Sequence, residues 1–385
     1  MFYALKIFAV FLQGILCFPS LASVVMPTYG NTPPILLAQN NHDRIVAPST
    51  ITRTPISSVV TSPQNTKEAK VISAVTPPPT ESIRLSGNYS LDVGVSYVYE
   101  TNNTIASFQG SSYPGIGATR ATLNWDKMFS DNIEFNAKLT SNKDLLFAKG
   151  SILLGKSFKT SGQMQDTDYA VSDSTTFAST MSDTQIIDNK RYIFDFGKSL
   201  NIMSYKLEGF IGYFYSNTKM DGVGFLVLPV QNNALYNDNN LSSGQLLYAN
   251  TVGITYQTII EAPRIGVSFK HLISPKKSID SQLVYMPNAT MILNDWHRLS
   301  TTKVVDENPN LVAKGIGNGF SADFNFSSHI NKGMMYGLGV RYTHFSMGSA
   351  EKLIRGINGD AITPNGLTGL SVKNIGLLLN FNYKF

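Results

Sequence analysis

The sequence predicts an all-β chain, a ten-stranded antiparallel transmembrane β-barrel. Three observations predict it: long runs of strict two-residue alternation, polar connections that are short and long in turn, and a final strand that ends on an aromatic residue. Ile375, Leu377, Leu379, Phe381, Tyr383 and Phe385 alternate with Asn374, Gly376, Asn380, Asn382 and Lys384. This period puts one set on each face of a sheet. A soluble sandwich would alternate too. The length of the runs and the inequality of the connections favour a barrel with short turns on one side of a membrane and long segments on the other.

The first 22 residues read as a signal peptide. Lys6 supplies the positive charge, Ile7 to Phe18 is apolar, and Ser20-Leu21-Ala22 offers small residues for cleavage after Ala22. The apolar stretch is shorter than the roughly 20 residues a spanning helix needs. Cys17 is the one cysteine among 385 residues, so the mature chain would have no disulfide framework, thiolate metal site or cysteine nucleophile. Residues 23–83 are rich in Pro, Thr and Ser, as in Thr76-Pro77-Pro78-Pro79-Thr80, and lack apolar periodicity. Such a segment cannot offset its ordering entropy, which predicts a disordered periplasmic tether.

The barrel is expected over 84–385. Leu91, Val93, Val95, Tyr97 and Tyr99 alternate in its first strand. Ile133, Phe135, Ala137 and Leu139 do so in the second, and Phe320, Ala322, Phe324 and Phe326 in the eighth. Short turns are expected near Ser141–Lys143, Ser199–Asn201, Ser274–Lys277 and Asn331–Gly333. Long polar loops are expected near 101–115, 159–187, 221–243, 298–315 and 349–367. An even count of ten returns both termini to the periplasm. Charged residues make up 15% and the net charge is +5, too small and too scattered to argue for nucleic acid.

Two segments carry candidate chemistry. One is Gly162-Gln163-Met164-Gln165-Asp166-Thr167-Asp168-Tyr169, expected in a loop. The other is Asn294-Asp295-Trp296-His297, expected at the top of the seventh strand. Residues two apart share a face of an extended chain, so Asp295 can orient His297 while Asp166 and Asp168 form an acidic cluster opposite. An imidazole facing a carboxylate can hold and deprotonate a water between them. Taken alone, each motif is more often a solvated turn. The other histidines are poorer candidates: His42 falls in the tether, His271 and His329 adjoin periplasmic turns, and His344 shares the apolar face of its strand.

These residues resemble the omptins, ten-stranded outer-membrane endoproteases with a Gly-x-Met-x-Asp-x-Asp-aromatic segment and an Asn-Asp-x-His. The resemblance extends over 84–385. It includes Leu123-Asn124-Trp125-Asp126, Asp183-Thr184-Gln185, Phe194-Asp195-Phe196, Gly212-Tyr213 and Ala262-Pro263-Arg264-Ile265-Gly266. It implies a surface aspartate/histidine endopeptidase acting on peptides or proteins, set in outer-membrane lipid with its site facing outside. Asp166 and Asp168 would be one catalytic pair and Asp295 and His297 the other, with no metal or organic cofactor. Three features depart from the family. Leu293 stands where an acid that holds basic substrates would sit, and Asn102 or Asn103 stands near the place of a second, with Glu100 the nearest carboxylate. Asn217 and Ile259 occupy the positions of basic residues that bind lipopolysaccharide. The tether has no family counterpart. A non-enzymatic surface barrel, such as an adhesin, is the other reading. A pore ranks third, since ten strands leave an interior mostly filled by side chains.

Overall fold

The computed structural model describes residues 88–110, 117–172, 174–202, 205–232, 241–298, 308–331, 333–356 and 359–385. The expected signal peptide and tether lie outside them. Twelve antiparallel strand segments run β1 (Tyr89–Gln109), β2 (Thr119–Ser141), β3 (Leu146–Lys156), β4 (Gln163–Ala170), β5 (Thr176–Ile202) and β6 (Tyr205–Val227). They continue as β7 (Leu246–Ser274), β8 (Lys277–His297), β9 (Leu311–His329), β10 (Met334–Met347), β11 (Ala350–Gly356) and β12 (Gly359–Lys384). Each pairs with its neighbours, and β1 closes the ring on β12.

Twelve segments fill ten positions in the wall. β3 and β4 both lie between β2 and β5, one above the other. β11 bridges β9 and β12 in line with β10, which itself pairs with both. The ten expected strands are therefore present, two of them broken in the middle. Several expected loops are instead strand extensions. Most of 159–187 is β4 and the start of β5, β1 continues to Gln109, and 349–367 is largely β11 and the start of β12. Their Ser/Thr/Asp content reads as loop, but the outer face of these extensions stands clear of the apolar belt, where polar residues suit a strand as well.

Strand length shows how far the wall rises. A tilted strand crosses the hydrocarbon in about 9–11 residues, and β5 has 27. The outward belt lies on the lower half, with Phe135, Phe196, Ile211, Val267, Leu283, Leu338, Leu377 and Phe381 all 49–63% exposed. The turn at 142–144 closes on Ser141, whose carbonyl accepts from Leu145 N at 2.9 Å. Asn331 Oδ1 accepts from Met334 N at 2.9 Å in the turn before β10. These tight turns mark the lower rim. Pro263 has no N–H to give, and the β7–β8 ladder is interrupted between Glu261 and Ile265.

The interior is filled in layers. At mid-height Arg341 bridges Glu134 (2.6 Å) and Asp323 (3.2 Å), Arg264 lies 3.2 Å from Asp195, and Arg191 holds Glu100 at 2.8 Å. A cavity of about 30 Å³ remains among Lys149, Arg191, Arg264, Asp323 and Arg341, room for roughly one or two waters. Above this layer comes an apolar plug that includes Phe214, Phe345, Met286, Met291, Leu293, Met220, Trp125 and Tyr256.

Candidate functional site

The plug ends in a floor of two aromatic rings. Trp125 on β2 and Tyr256 on β7 meet across the barrel with centroids 5.3 Å apart, and both are fully buried. Each ring lies beside one of the candidate segments. Trp125 pairs with Met164 on β4, and Tyr256 pairs with Asp295 on β8.

On the first wall, Gly162 turns the chain into β4. Its φ of 80° is left-handed, and a Cβ there would stand 2.3 Å from the Asp126 carbonyl oxygen. From Gly162 the alternation runs through Met164, buried in the core, to Asp166 opposite Leu123 and Asp168 opposite Ala121. Leu123 is itself a core residue and Ala121 packs on the core, so both aspartates belong to the lumen face. Asp166 also pairs with Thr180 and Asp168 with Ala178, which places the aspartates between two strands. Burial pushes the Asp168 carboxyl up to about 6. A group at that value exchanges protons near neutral pH.

On the second wall, Leu293, Asp295 and His297 share the lumen face of β8. Leu293 and Asp295 are 0% and 1% exposed. His297 Nε2 lies 3.2 Å from Asp295 Oδ2, and the imidazole is one third exposed. The carboxylate is thus sunk against the plug while the ring above it reaches the cleft. Asp295 Oδ1 and the Tyr256 hydroxyl are both buried with no hydrogen-bond partner among the described residues.

The structure brings the two predicted pairs to the same end of the lumen. Asp166 and Asp168 stand above Trp125, and the Asp295/His297 pair rises from the level of Tyr256. The outward belt reaches Tyr285 on β8, and His297 is twelve residues further along that strand. At about 3.3 Å per residue and a tilt near 40° this is about 30 Å above the belt. The segment expected to be a loop around Asp166 and Asp168 is therefore rigid strand, a firmer mount for a site.

Three neighbours of the site escaped the sequence reading. Asn310 carries no motif, yet its Oδ1 accepts the His297 N–H at 2.6 Å and its own N–H donates to the Asp295 carbonyl at 2.8 Å. Tyr256 and Trp125 form the floor, and only the pairing across the barrel reveals it. The alternation around Tyr256 gave the available signal, placing it on the lumen face but not opposite Trp125.

The residues at the expected basic-substrate positions are occupied otherwise. Glu100 is 1% exposed, and both its oxygens accept from Arg191 Nη2, at 2.8 and 2.9 Å. Asn102 Nδ2 donates to Asn374 Oδ1 at 2.6 Å, and Asn103 Oδ1 accepts from Lys127 N at 2.8 Å. On the outer wall Asn217 accepts from Gln257 at 2.8 Å, while Lys219 and Arg298 lie over the ring of Trp296 at 5.0 and 5.7 Å. Among the described residues no three His, Cys, Asp or Glu side chains are clustered so as to hold a metal ion.

No family model matches the sequence, and no curated protein matches it. Solved structures do. The outer membrane protease OmpT from Escherichia coli superposes with a TM-score of 0.62 at 14% identity, covering 79% of this chain and 99% of that one. The outer membrane protein OprG from Pseudomonas aeruginosa covers 77% of this chain at 10% identity with a TM-score of 0.25. A FadL homologue from the same organism also covers 77%, at 6% identity and 0.25. The last two superpose too loosely to bear on the site. The fold of this chain is thus that of an outer-membrane β-barrel, similar in architecture to OmpT.

Proposed function

We propose that the protein is an outer-membrane endopeptidase of the omptin kind, hydrolysing peptide bonds at the cell surface. The observation that carries this reading is the placement of Asp166/Asp168 and Asp295/His297 on the lumen face of separate walls, above one aromatic floor. In this reading a water is held in the cleft between His297 and Asp166. His297 takes its proton as the water attacks the carbonyl carbon, and Asp295 at 3.2 Å stabilises the imidazolium that results. The ring turns Nε2 toward Asp295, so Nδ1 is the nitrogen that meets the water. Asp168, raised by burial, is suited to share a proton with Asp166 as charge develops on the tetrahedral intermediate. No step requires a metal or an organic cofactor.

The test is to incubate intact cells bearing the wild type or His297→Ala with a diverse peptide library and map the cuts. The wild type is expected to cleave and the variant to lose about two to four orders of magnitude, the usual contribution of a general base. Equal cleavage patterns from both would refute the assignment. A surface barrel without catalysis, such as an adhesin, is supported by the filled basic-substrate positions and would give no cuts from either.

A further inference from the structure

We propose that Asn310 is the positioning residue of the His–Asp pair, holding the backbone of His297 where β8 runs out of partners; the catalytic part of this inference rests on the function proposed above. His297 is the last residue of β8, and a strand end frays unless its backbone groups are held. On one side β7 holds it: Ile254 pairs with His297, and the Arg298 N–H donates to the Gly253 carbonyl at 2.9 Å. On the other side the β8–β9 ladder stops at Asp295 opposite Leu311, two residues short of the histidine.

Asn310 replaces the missing rung with its side chain. Its Oδ1 accepts from His297 N at 2.6 Å, where a regular ladder would present a backbone carbonyl. Its N–H donates to the Asp295 carbonyl at 2.8 Å, so one residue grips both members of the pair. At 2% exposure these bonds are shielded from competing water. Asn310 is itself anchored from beyond, because its carbonyl accepts the Arg355 N–H of β11 at 2.7 Å. The outer hairpin of β11 and β12 is thereby connected, through one asparagine, to the backbone of the proposed base. An asparagine suits the task because it offers an acceptor at the reach of a peptide carbonyl and adds no charge beside the imidazole.

The experiment compares wild type, Asn310→Leu, Asn310→Ala and Asn310→Asp in the full barrel, each first shown to be folded by its heat-modifiable migration. Turnover is followed on a peptide cleaved by the wild type. The expected result for Asn310→Leu and Asn310→Ala is a kcat lowered about ten- to a hundredfold with KM within about twofold, since the substrate contacts are untouched. Asn310→Asp keeps the acceptor and should recover to within about fivefold of the wild type. Independently of turnover, selective ¹⁵N-histidine labelling shows the His297 amide, and its hydrogen exchange should be protected in the wild type and Asn310→Asp but fast in the other two. Wild-type kcat in Asn310→Leu, or unchanged protection of the His297 amide without the acceptor, would overturn the proposal. A wild type that cuts no peptide would sink the protease reading, and the exchange data would still decide whether Asn310 holds His297.

Discussion

Peptides with a basic residue on either side of the scissile bond should be poor substrates, and the structure gives the reason and the size of the effect. A guanidinium or ammonium entering a water-poor pocket needs a fixed counter-charge, and stripping that partner costs about 3–5 kcal/mol. Leu293 offers none, being apolar and fully buried between Thr258 and Ala313. Glu100 is the nearest acid on the first strand, and Arg191 holds both of its oxygens. Releasing it for a substrate would leave Arg191 unpaired, at a cost of the same order. An Arg-Arg peptide should therefore fall about a hundred- to a few thousandfold below an apolar analogue in kcat/KM, at roughly 1.4 kcal/mol per factor of ten.

The burial of Leu293 also determines what Leu293→Asp would do. A carboxylate at a wholly buried position meets a desolvation cost that keeps it protonated near neutral pH. Loss of the leucine from the plug adds about 2–5 kcal/mol, the range for truncating a buried leucine. The variant should fold with reduced thermal stability and gain affinity for basic peptides only as pH rises and the new carboxyl ionises. The assay is a paired set of fluorogenic peptides, differing only in the residues flanking the bond, measured from pH 5 to 9 with wild type and variant. Efficient wild-type cleavage between two arginines would refute the reasoning, because it would require an acid that the structure assigns elsewhere.

Three further outcomes follow from the site and the topology. Asp166→Ala should lower turnover by about two to four orders of magnitude while the barrel still folds, and chelators should leave the wild type unaffected; loss with EDTA and recovery with zinc would reject the metal-free mechanism. Infrared titration should find a carboxyl changing state near pH 6 that vanishes in Asp168→Asn. Because the folded value is raised above 3.8, the stability Asp168 contributes is full below about pH 4 and lost as pH rises through about 6. A membrane-impermeant thiol reagent on intact cells should label Glu351→Cys and Ala361→Cys, at the upper rim, and leave Lys143→Cys and Lys276→Cys unlabelled; the reverse pattern would invert the barrel.

The wall was legible because its outer face obeys one rule over every strand. Val95, Tyr97 and Tyr99, or Leu377, Leu379 and Phe381, are apolar because lipid is on that side, and the alternation survives in any window. The lumen face follows no such rule. Arg341 needs Glu134, 207 residues away in sequence, and Arg191 needs Glu100, 91 away. Their pairing depends on the closure of the ring rather than on any local pattern. The upper extensions read as loops for a related reason. With water on the outer face, β4 and the start of β5 lose the apolar half of the alternation, and a strand there has the composition of a loop. The site residues stood out in spite of this because they come in pairs two apart. Asn310 makes its contacts to a neighbouring strand through a side-chain bond, so nothing in its own surroundings marks it.

The layering of the lumen also weighs against the third reading, a pore. A conducting barrel needs a continuous wet path, yet here the mid-height guanidinium groups are tied to carboxylates around a cavity of only about 30 Å³. Directly above, Phe214 meets Phe345 at a tilt of 40° with centroids 5.1 Å apart, and Trp125 meets Tyr256 at 5.3 Å. The same closure serves a hydrolase. A sealed apolar floor under Asp295 keeps bulk water from its buried side, so the carboxylate's field is screened less and acts mainly on the imidazole 3.2 Å away. His297, one step higher and one third exposed, remains open to the cleft. A barrel built to transport would place its polar groups along the axis. Here the mid-height charges are locked in ion pairs, and the two proposed catalytic pairs are gathered at one end, on strands that continue far above the membrane belt.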